Sequence, residues 1–166
     1  FQRNYRWQEP QWLKLWESLL EIRNPEKKGN HFMGFLVFVP GIPEPGKTTT
    51  FHLIDGQQRL TTASILLAAI RNVARGSNQA DLADEIHEDY LVHSRKKGDD
   101  HYRLLPKERD YASYVAVVAE RDEPTGRVAE ALAFFESKLA GVAESDPDGL
   151  RSLFDTVAQR FEFMFA

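Results

Sequence analysis

The chain has 166 residues, room for one substantial domain, and its 42% hydrophobic and 28% charged content is that of a folded globular protein, which excludes disorder as the default state. The absence of cysteine excludes disulfides, zinc-thiolate sites and cysteine nucleophiles, and a formal net charge of -4 excludes nucleic-acid binding through overall positive charge. The longest apolar run, Ile65 to Ile70, is too short to span a bilayer and no signal-peptide pattern opens the chain, so a cytoplasmic location is expected.

After an opening FQRNYRW, Pro10 can begin a helix in which Trp12, Leu13, Trp16, Leu19 and Leu20 recur at helical spacing and predict one buried face. The stretch Pro25 to Asn30 is turn chemistry. HFMGFLVFVP then predicts a strand that Pro40 stops, and a proline-rich connector leads to a second strand, FHLID, that can pair with the first as a long-looped hairpin. FHLID runs directly into GQQR and the helical pattern LTTASILLAAIRNVAR, which Gly76 ends, so the order is strand, glycine turn, helix. Beyond Gly76 the pattern predicts helices over about 79–92, 108–121, 127–142 and 149–163, with HYRLLP as an extra strand or an extended link. The fold class expected is α+β: a small sheet with helices over residues 1–75, then an all-helical region over 76–166. Trp12, Trp16, Leu19, Phe35, Val37, Ile54, Ile65 and Leu66 are expected to be mostly buried between the two. The chain opens on Phe1 and closes on the apolar run Phe161, Phe163, Met164 and Phe165, which reads as a piece of a longer protein.

The strongest candidate for chemistry is Asp55-Gly56-Gln57-Gln58-Arg59, because it lies where a strand ends and a helix begins. Unpaired N–H groups at a helix start attract anions, a glycine admits a phosphate close to the backbone, and an arginine adds a bidentate fork. Asp55 can hold a divalent cation beside that phosphate, and the two glutamines can orient a ribose, a base or an attacking water. Asp-Gly is equally ordinary turn chemistry, and glutamines at a helix start can simply cap it. Spacing alone leaves the two readings level.

FQRNYRW, HFMGFLVF and IDGQQRLTTASILLAAI, in that order and spacing, resemble the ParB/sulfiredoxin-like amino-terminal domain of the GmrSD-type modification-dependent restriction enzymes. The resemblance is specific over residues 1 to about 75. It matches Gln2, Arg3, Tyr5 and Trp7 in the first segment, His31 and Gly34 at the first strand, and Asp55, Gly56, Gln57, Gln58 and Arg59 in the DGQQR motif. It implies nucleotide binding and hydrolysis, with GTP or ATP and Mg2+ as cofactors. Asp55 and Gln58 are then the catalytic candidates, and Asp55 also the candidate magnesium ligand. Gln2, Arg3, Gly56, Gln57, Arg59 and Thr61 are the candidate nucleotide-binding residues, the first two forming a second wall of the phosphate pocket. His31 and Thr62 are further candidates; the structural alternatives are a satisfied histidine for His31, a helix cap for Thr61 and Thr62, and a surface arginine beside a packing aromatic for Arg3. Tyr5 and Trp7 are read as core. The remaining histidines show no metal-ligand spacing.

The function implied is an NTP-binding and NTP-hydrolysing sensor domain. It would couple recognition of modified foreign DNA to cleavage by a nuclease domain or subunit elsewhere, since no histidine- and asparagine-rich nuclease segment is present here. The rival reading is a non-catalytic DNA-binding or protein-interaction module that puts the same arginines on DNA phosphate. A nicking activity of the domain itself finds no paired carboxylates to support it.

Overall fold

Pro10 lies in the first turn of α1 (Glu9–Arg23), where a missing N–H costs no helical bond. The computed structural model describes residues 4–24, 26, 29–106 and 108–165, with the side chains of Glu108 and Phe165 excepted. On α1 the buried row is Trp12, Leu15, Trp16 and Leu19, while Leu13 and Leu20 are exposed. The expected face is therefore rotated: at 100° per residue Leu13 and Leu20 fall beside the Trp12–Trp16–Leu19 row, and Leu15 falls on it.

β1 (His31–Pro40) and β2 (Phe51–Asp55) form the expected antiparallel hairpin, pairing Val37 with Asp55 and Pro40 with Phe51. The third strand, β3 (Phe161–Phe165), lies parallel to β1 on its other side, so the order is β2-β1-β3. The helix expected over 149–163 is thus corrected: it ends at Arg160 and the chain continues as a strand. Phe161 and Phe163 pack on the core while Glu162 and Met164 face out, a period of two that no helix can present.

The register of β1 against β3 shifts between Phe32 and Gly34. Such a bulge inserts one residue and reverses which face the following side chains occupy. Met33 and Leu36, three apart, are consequently both buried, and Phe32 and Phe35 both point to solvent. On β2 Leu53 is the buried residue and Ile54 is exposed. The expected burial of Phe35 and Ile54 is therefore wrong, and Val37 is only half-buried.

The helix α2 (Gln57–Gly76) is the hub. Ile65, Leu66, Ala68, Ala69 and Ile70 have no exposure, so the helix is apolar almost all round, as a central helix must be. Truncating one of its large side chains would cost about 2–5 kcal/mol, from lost burial and the void left behind. Around it pack α3 (Ala80–Ile86), which runs into a π-helical turn over His87–Leu91, then α4 (Glu108–Ala119), α5 (Gly126–Ser145) and α6 (Gly149–Arg160). HYRLLP is an extended link, tied back by one bridge between Tyr102 and Val92. A single contiguous core takes in Tyr5 from the amino-terminal segment, Met33 from the sheet and residues from α1 to α6. The architecture is α+β, with a three-stranded mixed sheet and six helices among the described residues. Among those residues no helix is long and apolar enough to cross a membrane.

Among the described residues one charged side chain lies wholly inside. The Arg71 guanidinium donates to the carbonyls of Val117 (2.6 Å) and Val118 (2.7 Å) at the end of α4, and to Asn72 Oδ1 (3.1 Å). Its Nη1 also donates to His87 Nδ1 (2.9 Å), and Glu120 stands 3.4 Å from its Nε. Burial lowers the Arg71 pKa to about 10, leaving it charged, and the network locks α4 and the π-helical turn onto α2.

Candidate functional site

Asp55 is the last residue of β2, and Gly56 turns the chain into α2 with a φ of 93°. Glycine is required there twice over. The left-handed conformation disfavours a side chain, and a Cβ would stand 2.5 Å from Leu36 Cδ2 and 2.8 Å from the Phe35 carbonyl. The space beside this glycine is thus filled by β1. Its presence is accounted for by strand packing and turn geometry. Asp55 Oδ1 accepts the Gly56 N–H (2.9 Å) across the turn, and the carboxylate is exposed. The first backbone bond of α2 is Leu60 N–H to the Gly56 carbonyl (3.1 Å), and no side chain caps the turn.

The two glutamines have distinct tasks. Gln57 Nε2 reaches back to the carbonyls of Leu53 (3.1 Å) and Ile54 (3.3 Å), holding the end of β2 against the start of α2. Gln58 faces the amino-terminal segment. Its Oε1 accepts the N–H groups of Arg6 (2.7 Å) and Trp7 (3.2 Å), and its Nε2 donates to the Asn4 carbonyl (2.9 Å). A side-chain amide thereby pairs with an extended backbone as a neighbouring strand would. A second tie lies one turn along: Trp12 Nε1 donates to the Tyr5 hydroxyl (2.8 Å), which bonds Thr62 Oγ1 (2.7 Å), which donates to the Gln58 carbonyl (2.6 Å). Burial pushes the Tyr5 phenol up to about 12, so it stays protonated. The Tyr5 N–H is taken by Asp110 Oδ2 of α4 (2.6 Å).

Pinning residues 4–7 here places the half-buried Trp7 beside the DGQQR turn. Trp7 and the run from Ile54 to Arg59 line an open cavity of about 360 Å3. A second cavity of about 600 Å3 shares Gln57 and Gln58 as walls and is bounded beyond them by Thr61, His93, Asp100 and Tyr102. Arg59 is exposed and makes no hydrogen bond or ion pair with the described residues. Its guanidinium lies against β1 at Gly34, where a Cβ would come within 2.8 Å of Nη1.

Of the residues singled out in the sequence, the structure brings Asp55, Gly56, Gln57, Gln58 and Arg59 to one cavity. Gln2 and Arg3 lie outside the described residues. Thr61 is buried and lines the second cavity, and Thr62 is buried in the hydroxyl chain from Tyr5. His31 packs its ring on Phe161 (centroids 5.2 Å apart) at the far end of β1, roughly 20 Å along the strand from Val37, which pairs with Asp55. Trp7, read as core, packs half-buried against the core and is also a wall of the cavity. The signal in the sequence was its place in the FQRNYRW segment that the family resemblance matches. Among the described residues no three histidine or carboxylate groups converge as a metal cluster.

The family described as GmrSD restriction endonuclease, N-terminal domain, matches residues 1–164. The chain belongs to that family. The match takes in both the sheet with its DGQQR turn and the helices that follow. No curated protein matches the sequence. Membership of the GmrSD family sets the domain in a restriction endonuclease, an enzyme of phage defence whose substrate is DNA.

Proposed function

We propose that this GmrSD domain binds and hydrolyses a nucleoside triphosphate, ATP or GTP, and couples recognition of modified foreign DNA to cleavage by a nuclease domain elsewhere in the protein, in the cytoplasm. The observation that carries the reading is the uncapped start of α2, opening into a cavity lined by Asp55 and by Arg59, which has no hydrogen-bond or ion-pair partner among the described residues. A helix start of this kind supplies N–H donors and a positive dipole end to a phosphate. Kinship of the sheet and its first helices with the ParB/sulfiredoxin-like fold belongs to the same proposal.

The residues present fit a magnesium nucleotide in one respect: magnesium is commonly held by one or two carboxylates together with the substrate's own phosphates. Asp55, whose exposed carboxylate spends only Oδ1 on Gly56, would be that ligand, and the ion would neutralise phosphate charge. Arg59 binds and orients the phosphates, and Trp7 walls the cavity. Gln58 is best understood as a positioning residue, because its amide is committed to residues 4–7.

The test is equilibrium binding of labelled ATP and GTP with magnesium, with phosphate release measured in parallel. Arg59→Ala should weaken binding about tenfold, the low end for a charge-assisted bond, because Arg59 is exposed to solvent. Asp55→Ala should abolish turnover while sparing the fold and most of the binding. Normal turnover in folded Asp55→Ala removes that carboxylate from catalysis. Absence of nucleotide binding together with salt-sensitive DNA binding replaces the proposal with a non-catalytic DNA-binding module.

A further inference from the structure

Among the described residues the helices pack on the sheet face that carries the buried Met33. On the other, Phe32 and Phe35 are 49% and 52% exposed, their rings edge-to-face with centroids 5.3 Å apart. Met164 of β3, paired with Phe35, and Ile54 of β2 extend the same open face to either side. Large apolar side chains set side by side in water on a sheet are uncommon unless something binds them. The arrangement also depends on a specific device. Residues three apart on a regular strand point to opposite faces, and only the bulge between Phe32 and Gly34 turns both rings outward.

The same bulge seats a cation. Gly34, with a φ of 122°, leaves room for the Arg59 guanidinium to lie against β1 between the two aromatic positions, and Arg59 has no acidic partner among the described residues. Glu162 of β3, opposite Phe32, accepts from Asn30 and keeps its negative charge, so the cation available to a phosphate on β1 is Arg59, seated at Gly34. Two exposed aromatic rings on the strand that also seats the guanidinium offer stacking surfaces for bases and a cation for the phosphate that joins them. An aliphatic partner surface would need neither the rings nor the charge.

We propose that the open face of the sheet binds unpaired DNA, with bases stacked on Phe32 and Phe35 and a backbone phosphate at Arg59. This rests on the DNA-recognition half of the proposed function and gives that half a surface and a mode. Arg59 is shared with the α2 cavity, so nucleotide and DNA phosphate draw on one guanidinium. Stacking is the dominant contribution in a domain of net charge -4, and affinity should depend only weakly on salt: with one phosphate neutralised, log K falls by about 0.7 per decade of salt.

The experiment titrates the chain, Phe32→Ala, Phe35→Ala and Phe35→Leu into a short fluorescein-labelled oligothymidylate and into a duplex of equal length. Oligomeric state and nucleotide binding are measured on the same samples. The expected result is saturable binding to the single strand, weakened about five- to 150-fold by each alanine, with melting temperature and nucleotide binding unchanged. Phe35→Leu, which keeps apolar area and removes the π face, should weaken binding as well. DNA binding that persists undiminished in all three variants overturns this surface and leaves DNA recognition elsewhere on the domain. Binding to neither oligonucleotide overturns both the surface and the DNA half of the proposed function, while nucleotide binding reports separately on the other half. A dimer that the alanine substitutions dissolve assigns the face to a second copy and also overturns the proposal.

Discussion

Gln58→Ala removes three hydrogen bonds that tie residues 4–7 to the first turn of α2: those to Arg6 N, Trp7 N and the Asn4 carbonyl. A typical intramolecular hydrogen bond contributes about 0.5–1.5 kcal/mol net, and the bond to Arg6 is open to water, so the low end applies. The loss should total about 1–3 kcal/mol. For a chain of this size that is a fall in Tm of roughly 2–12 °C. The Tyr5–Thr62 chain and the Tyr5–Asp110 bond survive, so the segment should loosen at Arg6 and Trp7 and stay anchored at Tyr5. The decisive assay is amide hydrogen exchange read residue by residue. The N–H groups of Arg6 and Trp7 should lose protection while that of Tyr5 keeps it, and tryptophan emission should shift as Trp7 leaves the cavity wall. Gln58→Glu should recover part of the protection, since a carboxylate still accepts from both N–H groups but cannot donate to Asn4. Unchanged protection at Arg6 and Trp7 in Gln58→Ala, with an unchanged Tm, would refute the positioning role and return Gln58 to the candidates for direct catalysis.

Arg71→Ala should destabilise the domain by about 3–5 kcal/mol, because it leaves the Val117 and Val118 carbonyls without their donor and opens a void; denaturant unfolding measures it. Gly56→Ala should cost more than about 2 kcal/mol from the left-handed backbone and the contact with Leu36, whereas Gly76→Ala, with open space around it, should be nearly neutral or mildly stabilising in the same assay. Burial, then the neighbouring Arg71, holds His87 below its ordinary pKa of 6.5, so the unfolded chain takes up the proton first. Stability should therefore decline as pH falls below about 6.5 and level off once the folded pKa is passed. His87→Gln should flatten that part of the profile of unfolding free energy against pH.

Much of this protein was legible locally. Pro10, Pro40 and Gly76 punctuate the chain, the apolar run of α2 marks a central helix, and the strand–glycine–helix order around Asp55 to Arg59 is present in the residues themselves. Those features depend on neighbours within a few positions, which is the range over which backbone propensity acts. The resemblance of the DGQQR segment and its companion FQRNYRW was likewise readable from the residues, although nothing in their spacing said that Gln58 would spend its amide on a segment 52 residues earlier.

What only the tertiary structure decided was parity and partnership. Strand alternation determines which residues share a face but not which face meets the core, and one bulge at Gly34 reversed the assignment for Phe35. Likewise Phe161 to Phe165, an apolar tail that follows a helix without a break, is a strand because β1 offers it backbone partners 130 residues away in the chain, His31 opposite Phe161. Its helical or extended state is set by that pairing, since a lone segment of five residues has too few bonds of its own to hold either form. The open aromatic face arises from these two long-range events together, so it exists in the folded sheet and in no stretch of sequence taken alone.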